Sequence, residues 1–395
     1  MKIIDIRTSS GIHGNTIGGG AVYFNEILLY LSSLKSYNIT VIKSQDDSSH
    51  FPNEIEKLTL NFSSNRDAGD LKYFLTSLFG FLFLLHGIRK FNFKNLNVQK
   101  TVVISESPAP SDILSTAHIC RNNGYKGIIY FHHIPPPFWV KPFRRGVFKS
   151  IAKSFLTDIS LSLVKIFNLA IAIDNYNIMQ YSHFNFHGQI FESPSFFPQN
   201  YILNQSFNIK DKDEIEYDAC YVGRIEEGKG LKDLIRCWDY VLKALPSAKI
   251  VIIGNLKTKF GEKVLKLIKK KKLDENIILT GFISDAEKRR FMKRSKLFVF
   301  PSYEEGWSIA LMESIILGLV PVLYNLPAYD YLSNFPYKVK IGDYINLGKT
   351  IVKLLQLDEE ELNSLNKNLK SQILKFTLQY SASQQIINFK RLLGE

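Results

Sequence analysis

Short runs of apolar, β-branched residues alternate with longer helical periods from one end of this chain to the other, and that alternation restricts the fold more than any other feature. Strands are expected at 2–7, 39–43, 102–105, 127–131, 169–173 and 188–192 in the first half. In the second half they are expected at 217–222, 248–253, 276–280, 297–300, 320–323 and 337–340. Helical periods lie between them, at 21–33, 147–167, 230–244 and 259–271 among others. Strands separated by helices make parallel sheets with crossover connections, an α/β architecture. The 395 residues suffice for two such domains. Periodicity is lost and polarity rises over 195–215, so the expected division is 1–200, 201–378 and a closing helix over 379–395.

Charge enters the argument through its placement. The net charge is +13, with 45% hydrophobic and 22% charged residues, the profile of a globular chain. Residues 1–88 hold seven Lys/Arg against eight Asp/Glu, whereas 89–157 hold eleven against two and 158–200 one against three. The basic segment is interleaved with Phe91, Phe93, Phe138, Trp139, Phe143, Phe148 and Phe155. Basic and aromatic residues together suit an anionic membrane surface or nucleic acid, and an ordinary solvated face is the plainer alternative. Just upstream, the apolar core 78–85 is far shorter than the ~20 residues of a spanning helix. It reads as a buried or a surface-lying helix. Cys120, Cys220 and Cys237 lack disulfide or metal spacing, which fits a reducing cytoplasm and gives no reason to expect zinc. The opening run, which carries Lys2, Asp5 and Arg7, reads as a first strand and not as a signal peptide.

In doubly wound sheets, ligands bind outside the carboxyl ends of the strands. Four such places carry chemistry. The first strand runs into Gly18-Gly19-Gly20, where backbone N–H groups can approach an anion or a sugar, although no dinucleotide fingerprint follows. Strand 127–131 ends in His132-His133-Ile134 and three prolines, which hold the imidazoles at the strand end, ready for a sugar hydroxyl or a proton. Strand 217–222 ends in Gly223-Arg224-Ile225-Glu226-Glu227-Gly228-Lys229-Gly230. There Arg224 and Lys229, five positions apart, can converge on a diphosphate and neutralise charge on a leaving group.

Strand 297–300 continues into Pro301-Ser302-Tyr303-Glu304-Glu305-Gly306-Trp307-Ser308 and an apolar helix that Gly318 ends. Ser308 is the expected N-cap. Glu313 falls inside that helix, where a carboxylate needs partners; two ribose hydroxyls would supply them, and so would a structural ion pair. The N–H groups around Gly306–Ser308 suit a phosphate, and Glu305 can reach a sugar.

The third and fourth of these constellations together resemble the retaining GT-B-fold glycosyltransferases of family 4. Gly223, Arg224, Lys229 and Gly230 match that family's Gly-Arg-x₄-Lys-Gly turn, and Glu305 and Glu313 its Glu-x₇-Glu signature. Specificity lies mainly in 217–325. The resemblance implies two Rossmann-like domains with parallel sheets facing across a cleft. It also implies transfer of a sugar, with retention, from a UDP- or GDP-sugar to a glycan or polyprenyl-linked acceptor in cell-surface polysaccharide synthesis. Arg224 and Lys229 would hold the donor diphosphate, Glu305 the sugar, Glu313 the ribose, and Gly281-Phe282-Ile283 the base. His132 would bond the transferred sugar, with Gly18 and Gly19 lining the site. No cofactor or metal is implied, and the enzyme would be cytoplasmic, peripheral on the membrane through 73–155. One departure is the Gly306-Trp307-Ser308 sequence, where many members carry Gly-Phe-Gly.

A sugar-nucleotide epimerase would need more cleft acids than the sequence places. A non-catalytic binding subunit would tolerate loss of the four charged residues. A nucleic-acid-binding protein would leave both strand-end motifs without a reason.

Overall fold

The computed structural model describes residues 1–7, 12–13, 16–17, 19–44, 51–60, 93, 96–131, 147–173, 188–196, 215–332 and 335–395. It divides into two compact units, Met1–Phe196 with Phe376–Glu395, and Phe197–Lys375.

The first unit is a seven-stranded parallel sheet built from β1 (Lys2–Arg7), β2 (Asn38–Ser44), β3 (Glu56–Leu60), β4 (Thr101–Ser105), β5 (Lys126–Phe131), β6 (Ala170–Ile173) and β7 (Ile190–Glu192). Its spatial order is β3-β2-β1-β4-β5-β6-β7, so the winding reverses between β1 and β4. Its helices among the described residues before residue 197 are α1 (Gly19–Ser33), α2 (Pro110–Asn123) and α3 (Val147–Ile166). Successive strand residues alternate between the two faces. Ile4, Ile6, Val103 and Ile129 pack on Ile113, Ala117, Leu161 and Val164 of α2 and α3. Ile3, Val102, Ile104 and Ile128 pack on Phe24, Ile27, Leu28 and Leu31 of α1. Burial on both faces is what near-continuous apolar strands of a parallel sheet require.

Strand β3 was not expected. Its sequence, Glu-Lys-Leu-Thr-Leu, is polar at alternate positions because it sits at the sheet edge and pairs only with β2. Helix α1 also begins at Gly19, two residues before the apolar period predicts. The glycine-rich approach to it includes a short antiparallel pair, Ile12–His13 with Thr16–Ile17. The apolar stretch 73–86 lies outside the described residues, as do 89–92, 94–95 and 132–146 of the basic segment. No helix among the described residues is long and apolar enough to cross a membrane.

The second unit carries β8 (Tyr217–Val222), α4 (Leu231–Ala244), β9 (Ile250–Ile253), α5 (Lys259–Lys271), β10 (Ile277–Gly281), α6 (Asp285–Lys293), β11 (Ser295–Phe300), α7 (Ile309–Ile316), β12 (Val320–Tyr324), β13 (Lys338–Val339), α8 (Tyr344–Leu355) and α9 (Glu359–Ile373). Its six strands are parallel in the order β10-β9-β8-β11-β12-β13, with the reversal between β8 and β11. Each sheet is thus Rossmann-like and doubly wound.

The last helix, α10 (Leu378–Leu393), belongs to the first unit. Leu378, Ala382, Phe389 and Leu392 join the core that α1 covers. Polar contacts fix its register: the Tyr130 hydroxyl donates to Gln385 Oε1 at 2.6 Å, and Gln385 Nε2 donates to Ser193 Oγ at 2.8 Å. Asn388 Nδ2 donates to the Glu192 carbonyl at 2.9 Å. Cys120, Cys220 and Cys237 are buried and unbridged, and burial pushes the thiols of Cys120 and Cys220 up to about 12.

Because α10 completes the first core, Phe389→Ala is expected to destabilise the protein by about 3–5 kcal/mol. Gln385→Leu, which removes two buried hydrogen bonds, is expected to cost about 1–3 kcal/mol. Denaturant unfolding followed by circular dichroism measures both, and a wild-type midpoint for Phe389→Ala would contradict the packing assigned to α10.

Candidate active site

The two turns that flank the reversal in the second unit, after β8 and after β11, carry the densest polar chemistry of that unit. The first leaves β8 at Gly223 and folds as a single 3₁₀ turn, Glu227–Lys229, ending at Gly230. Gly230 has φ +71°, and a Cβ there would lie 1.8 Å from the Pro301 carbonyl oxygen, so only glycine lets the two turns meet. Gly254 serves a similar close approach, since a Cβ on it would stand 2.2 Å from the Gly223 carbonyl. Further bonds join the turns: the Tyr303 N–H donates to the Gly228 carbonyl at 2.9 Å, and the Ser302 hydroxyl lies 3.3 Å from the same oxygen.

That contact brings Lys229 and Glu305 together. Lys229 Nζ donates to Glu305 Oε1 at 2.6 Å, and the two side chains are 12% and 9% exposed. A charge-assisted bond this short offsets the burial of both ions, whereas either ion alone would be expensive there. Tyrosines surround the carboxylate. Burial raises the hydroxyl pKa values of Tyr221, Tyr329 and Tyr331, and the Glu305 charge raises them further. Trp307 stacks on Tyr331 with ring centroids 4.7 Å apart.

The other expected site residues are placed less uniformly. Arg224 is 74% exposed and bonds Glu226 Oε1 at 3.2 Å instead of joining the buried pair. Ser308 caps α7, accepting from the Leu311 N–H at 3.3 Å, and does so at φ +56°. This left-handed conformation gives a physical reason for the glycine that many family 4 members carry there, and a serine holds it under strain of about 1–2 kcal/mol. Glu313 is 5% exposed, and Lys288 of α6 bonds both its oxygens at 3.0 Å. Burial of Glu313 therefore does not by itself require a ribose. Phe282, 70% exposed, follows β10 directly and stands open to stacking, with Ile283 half-buried beside it. Gly19 starts α1 in the first unit, whereas Gly18 and His132 lie outside the described residues.

Sequence reasoning missed Lys288 and a buried hub, Asp233 in the first turn of α4. Its Oδ2 accepts from the Tyr303 hydroxyl and, at 2.8 Å, from the Tyr324 hydroxyl. Asp233 carried a signal, an acid on the buried stripe of Leu231, Leu234, Ile235 and Trp238. An acid in a first helical turn is nevertheless an ordinary response to the helix dipole, so it does not stand out. Lys288 gave no signal, because its partner is 25 residues away.

The Lys229–Glu305 pair makes a specific energetic prediction. Glu305→Ala leaves a buried ammonium and is expected to cost about 3–5 kcal/mol, while Lys229→Met with Glu305→Leu costs far less than the sum of the single changes. A double-mutant cycle by chemical denaturation checks it, and additive effects would contradict a coupled pair.

Comparison with known proteins fits this geometry. Residues 204–372 match the family model described as Glycosyl transferases group 1. A curated relative, the poly(glycerol-phosphate) alpha-glucosyltransferase of Bacillus subtilis (strain 168), is 26% identical over 187 residues, which are 46% of this chain and 26% of that protein. The processive diacylglycerol alpha-glucosyltransferase of Acholeplasma laidlawii is 29% identical over 143 residues, 36% of this chain and 41% of that protein. The chain thus spans less than half the length of these relatives. Among solved structures, sucrose-phosphate synthase from Thermosynechococcus elongatus superposes with a TM-score of 0.76 at 13% identity, over 100% of this chain and 99% of that one. At that identity the likeness speaks to the fold, which is that of GT-B glycosyltransferases.

Proposed function

We propose that this chain, whose residues 204–372 match the group 1 glycosyl transferase model, is a retaining, metal-independent glycosyltransferase of the family 4 type. It moves a sugar from a UDP- or GDP-sugar to a glycan or lipid-linked acceptor in the synthesis of cell-surface polysaccharide or glycolipid. The observation that carries the reading is the buried Lys229–Glu305 bond at the reversal point of the second sheet.

In this reading the donor diphosphate lies over the turn after β8. Arg224, exposed at its edge, swings from Glu226 to clamp the phosphates. Lys229 then shares its protons between Glu305 and the leaving phosphate oxygen, and neutralises the charge that grows there as the sugar C1–O bond breaks. One buried cation and one mobile cation together do the work a divalent metal would otherwise do. Glu305 orients the sugar hydroxyls, Phe282 stacks on the base beside Ile283, and Glu313 takes the ribose while Lys288 holds it in place. The N–H groups of Gly306, Trp307 and Ser308 add donors, and the backbone around Gly223 stays close to the phosphates. Gly18, Gly19 and His132 would serve the sugar side. The acceptor oxygen attacks C1 from the face the leaving group vacates, and its proton passes to the departing phosphate oxygen, so configuration is retained. Two relatives named for α-linked transfer support this, since an α-linked product from an α-linked donor is retention. The diacylglycerol named in one of them favours a lipid-linked acceptor, with the segment 73–155 resting on an anionic membrane.

Nucleotide release from a panel of UDP- and GDP-sugars, with chelator present, tests the reading. Wild-type protein is expected to hydrolyse one donor slowly, and Lys229→Ala to lower that rate by about 10²-fold or more. Binding without release would leave a sugar-nucleotide-binding subunit; absence of both release and any thermal shift with UDP or GDP would contradict the proposal.

A further inference from the structure

Two turns 76 residues apart meet at Lys229 and Glu305 with a separation of 2.6 Å. The Tyr303 N–H ties main chain to main chain at the Gly228 carbonyl and the Ser302 hydroxyl adds a side-chain bond to the same oxygen, but the remaining side-chain anchoring is concentrated at one buried carboxylate. Asp233 is 1% exposed and stands four residues after Lys229, at the third position of α4. Tyr303 stands two residues before Glu305, at 7% exposure, and Tyr324 ends β12 at 0%. Both hydroxyls donate to the same oxygen, Oδ2, while Oδ1 faces Arg236 Nη1 at 3.5 Å. The two rings lie 5.4 Å apart at 56°, so each steers the other toward the carboxylate.

We propose that Asp233 is the positioning residue that sets the spacing of Lys229 and Glu305. A carboxylate oxygen accepts two hydroxyls because it offers two lone pairs, and an acid at the start of α4 is further favoured by the helix dipole. The tie runs from the Lys229 turn through Asp233 to the Glu305 loop and to the neighbouring strand end. Loss of the tie lets the Glu305 loop lift, and Lys229 then leaves its partner. The catalytic consequence rests on the donor reading given above, whereas the spacing itself does not.

Acylation of the intact protein by a small amine-reactive ester, mapped by mass spectrometry, reads the spacing without any donor. Lys229 is expected to be protected in wild type and to react severalfold faster in Asp233→Ala and Tyr303→Phe. Asp233→Asn keeps an oxygen for the hydroxyls and is expected to stay close to wild type. Lys288, bound to Glu313 in the same unit, is the internal control and should not change in any variant. The same proteins, assayed for nucleotide release from UDP-glucose and GDP-mannose, are expected to lose about 10- to 100-fold in kcat with little change in donor KM, again with rescue by asparagine. Lys229 as protected in both variants as in wild type would overturn the inference, as would a rise in Lys288 reactivity equal to that of Lys229. Where Asp233→Ala fails to fold, Tyr303→Phe decides. Absence of turnover in wild type would count against the proposed function alone, because the acylation pattern still judges the spacing.

Discussion

A single ion pair, Lys229 with Glu305, sets the terms for the second unit. Removing an ammonium and a carboxylate from water costs several kcal/mol each, and their attraction offsets this only when the geometry is tight. The chain meets that condition with two glycines that carry no Cβ into crowded space, Gly230 against Pro301 and Gly254 against Gly223, and with a buried carboxylate tying two tyrosines. Such a pair contributes little net stability. What it supplies is a lysine held in a buried, tyrosine-lined setting, where water does little to screen its attraction for a phosphate arriving beside it and Glu305 shares its charge. The exposed Arg224 differs in kind: water screens it, and its bond to Glu226 is readily exchanged.

Topology explains why the pair lies where it does. Winding that runs outward from β8 and then reverses at β11 leaves two adjacent strands whose following turns diverge to opposite faces of the sheet. A crevice opens at that point in any doubly wound sheet. Both charged motifs of the sequence follow these two strands. The first unit has the same reversal between β1 and β4, and its core is completed by a helix from the far end of the chain. The match of 204–372 to the group 1 glycosyl transferase model and the whole-chain likeness in fold to a sucrose-phosphate synthase agree with two doubly wound units in one polypeptide.

Much of this was legible in the sequence, for physical reasons. Strands buried on both faces must be continuously apolar, so β1, β8 and β11 stood out at nearly their observed limits. Helix α5 did so through its lysine-rich outer face over Val264 and Ile268. Edge strand β3 did not, because one open side permits a polar alternation that also suits a loop. At the site, charged residues after strands were visible, and glycines marked where main chain meets main chain. Partnerships between distant residues were not. Nothing in the sequence ties Lys288 to Glu313, and the apparent conflict of a carboxylate inside an apolar helix was resolved by that lysine rather than by a ligand. Asp233 stayed hidden because a first-turn acid already has a local explanation.

The central claim is that a nucleoside diphosphate binds at the reversal point of the second sheet. Hydrogen–deuterium exchange of the intact protein, with and without saturating UDP and then GDP, tests it most directly. One of the two nucleotides is predicted to protect peptides covering 223–231 and 301–314 and to leave 101–131 unchanged. Protection confined to 101–131, or no protection at either turn with both nucleotides, would contradict the account.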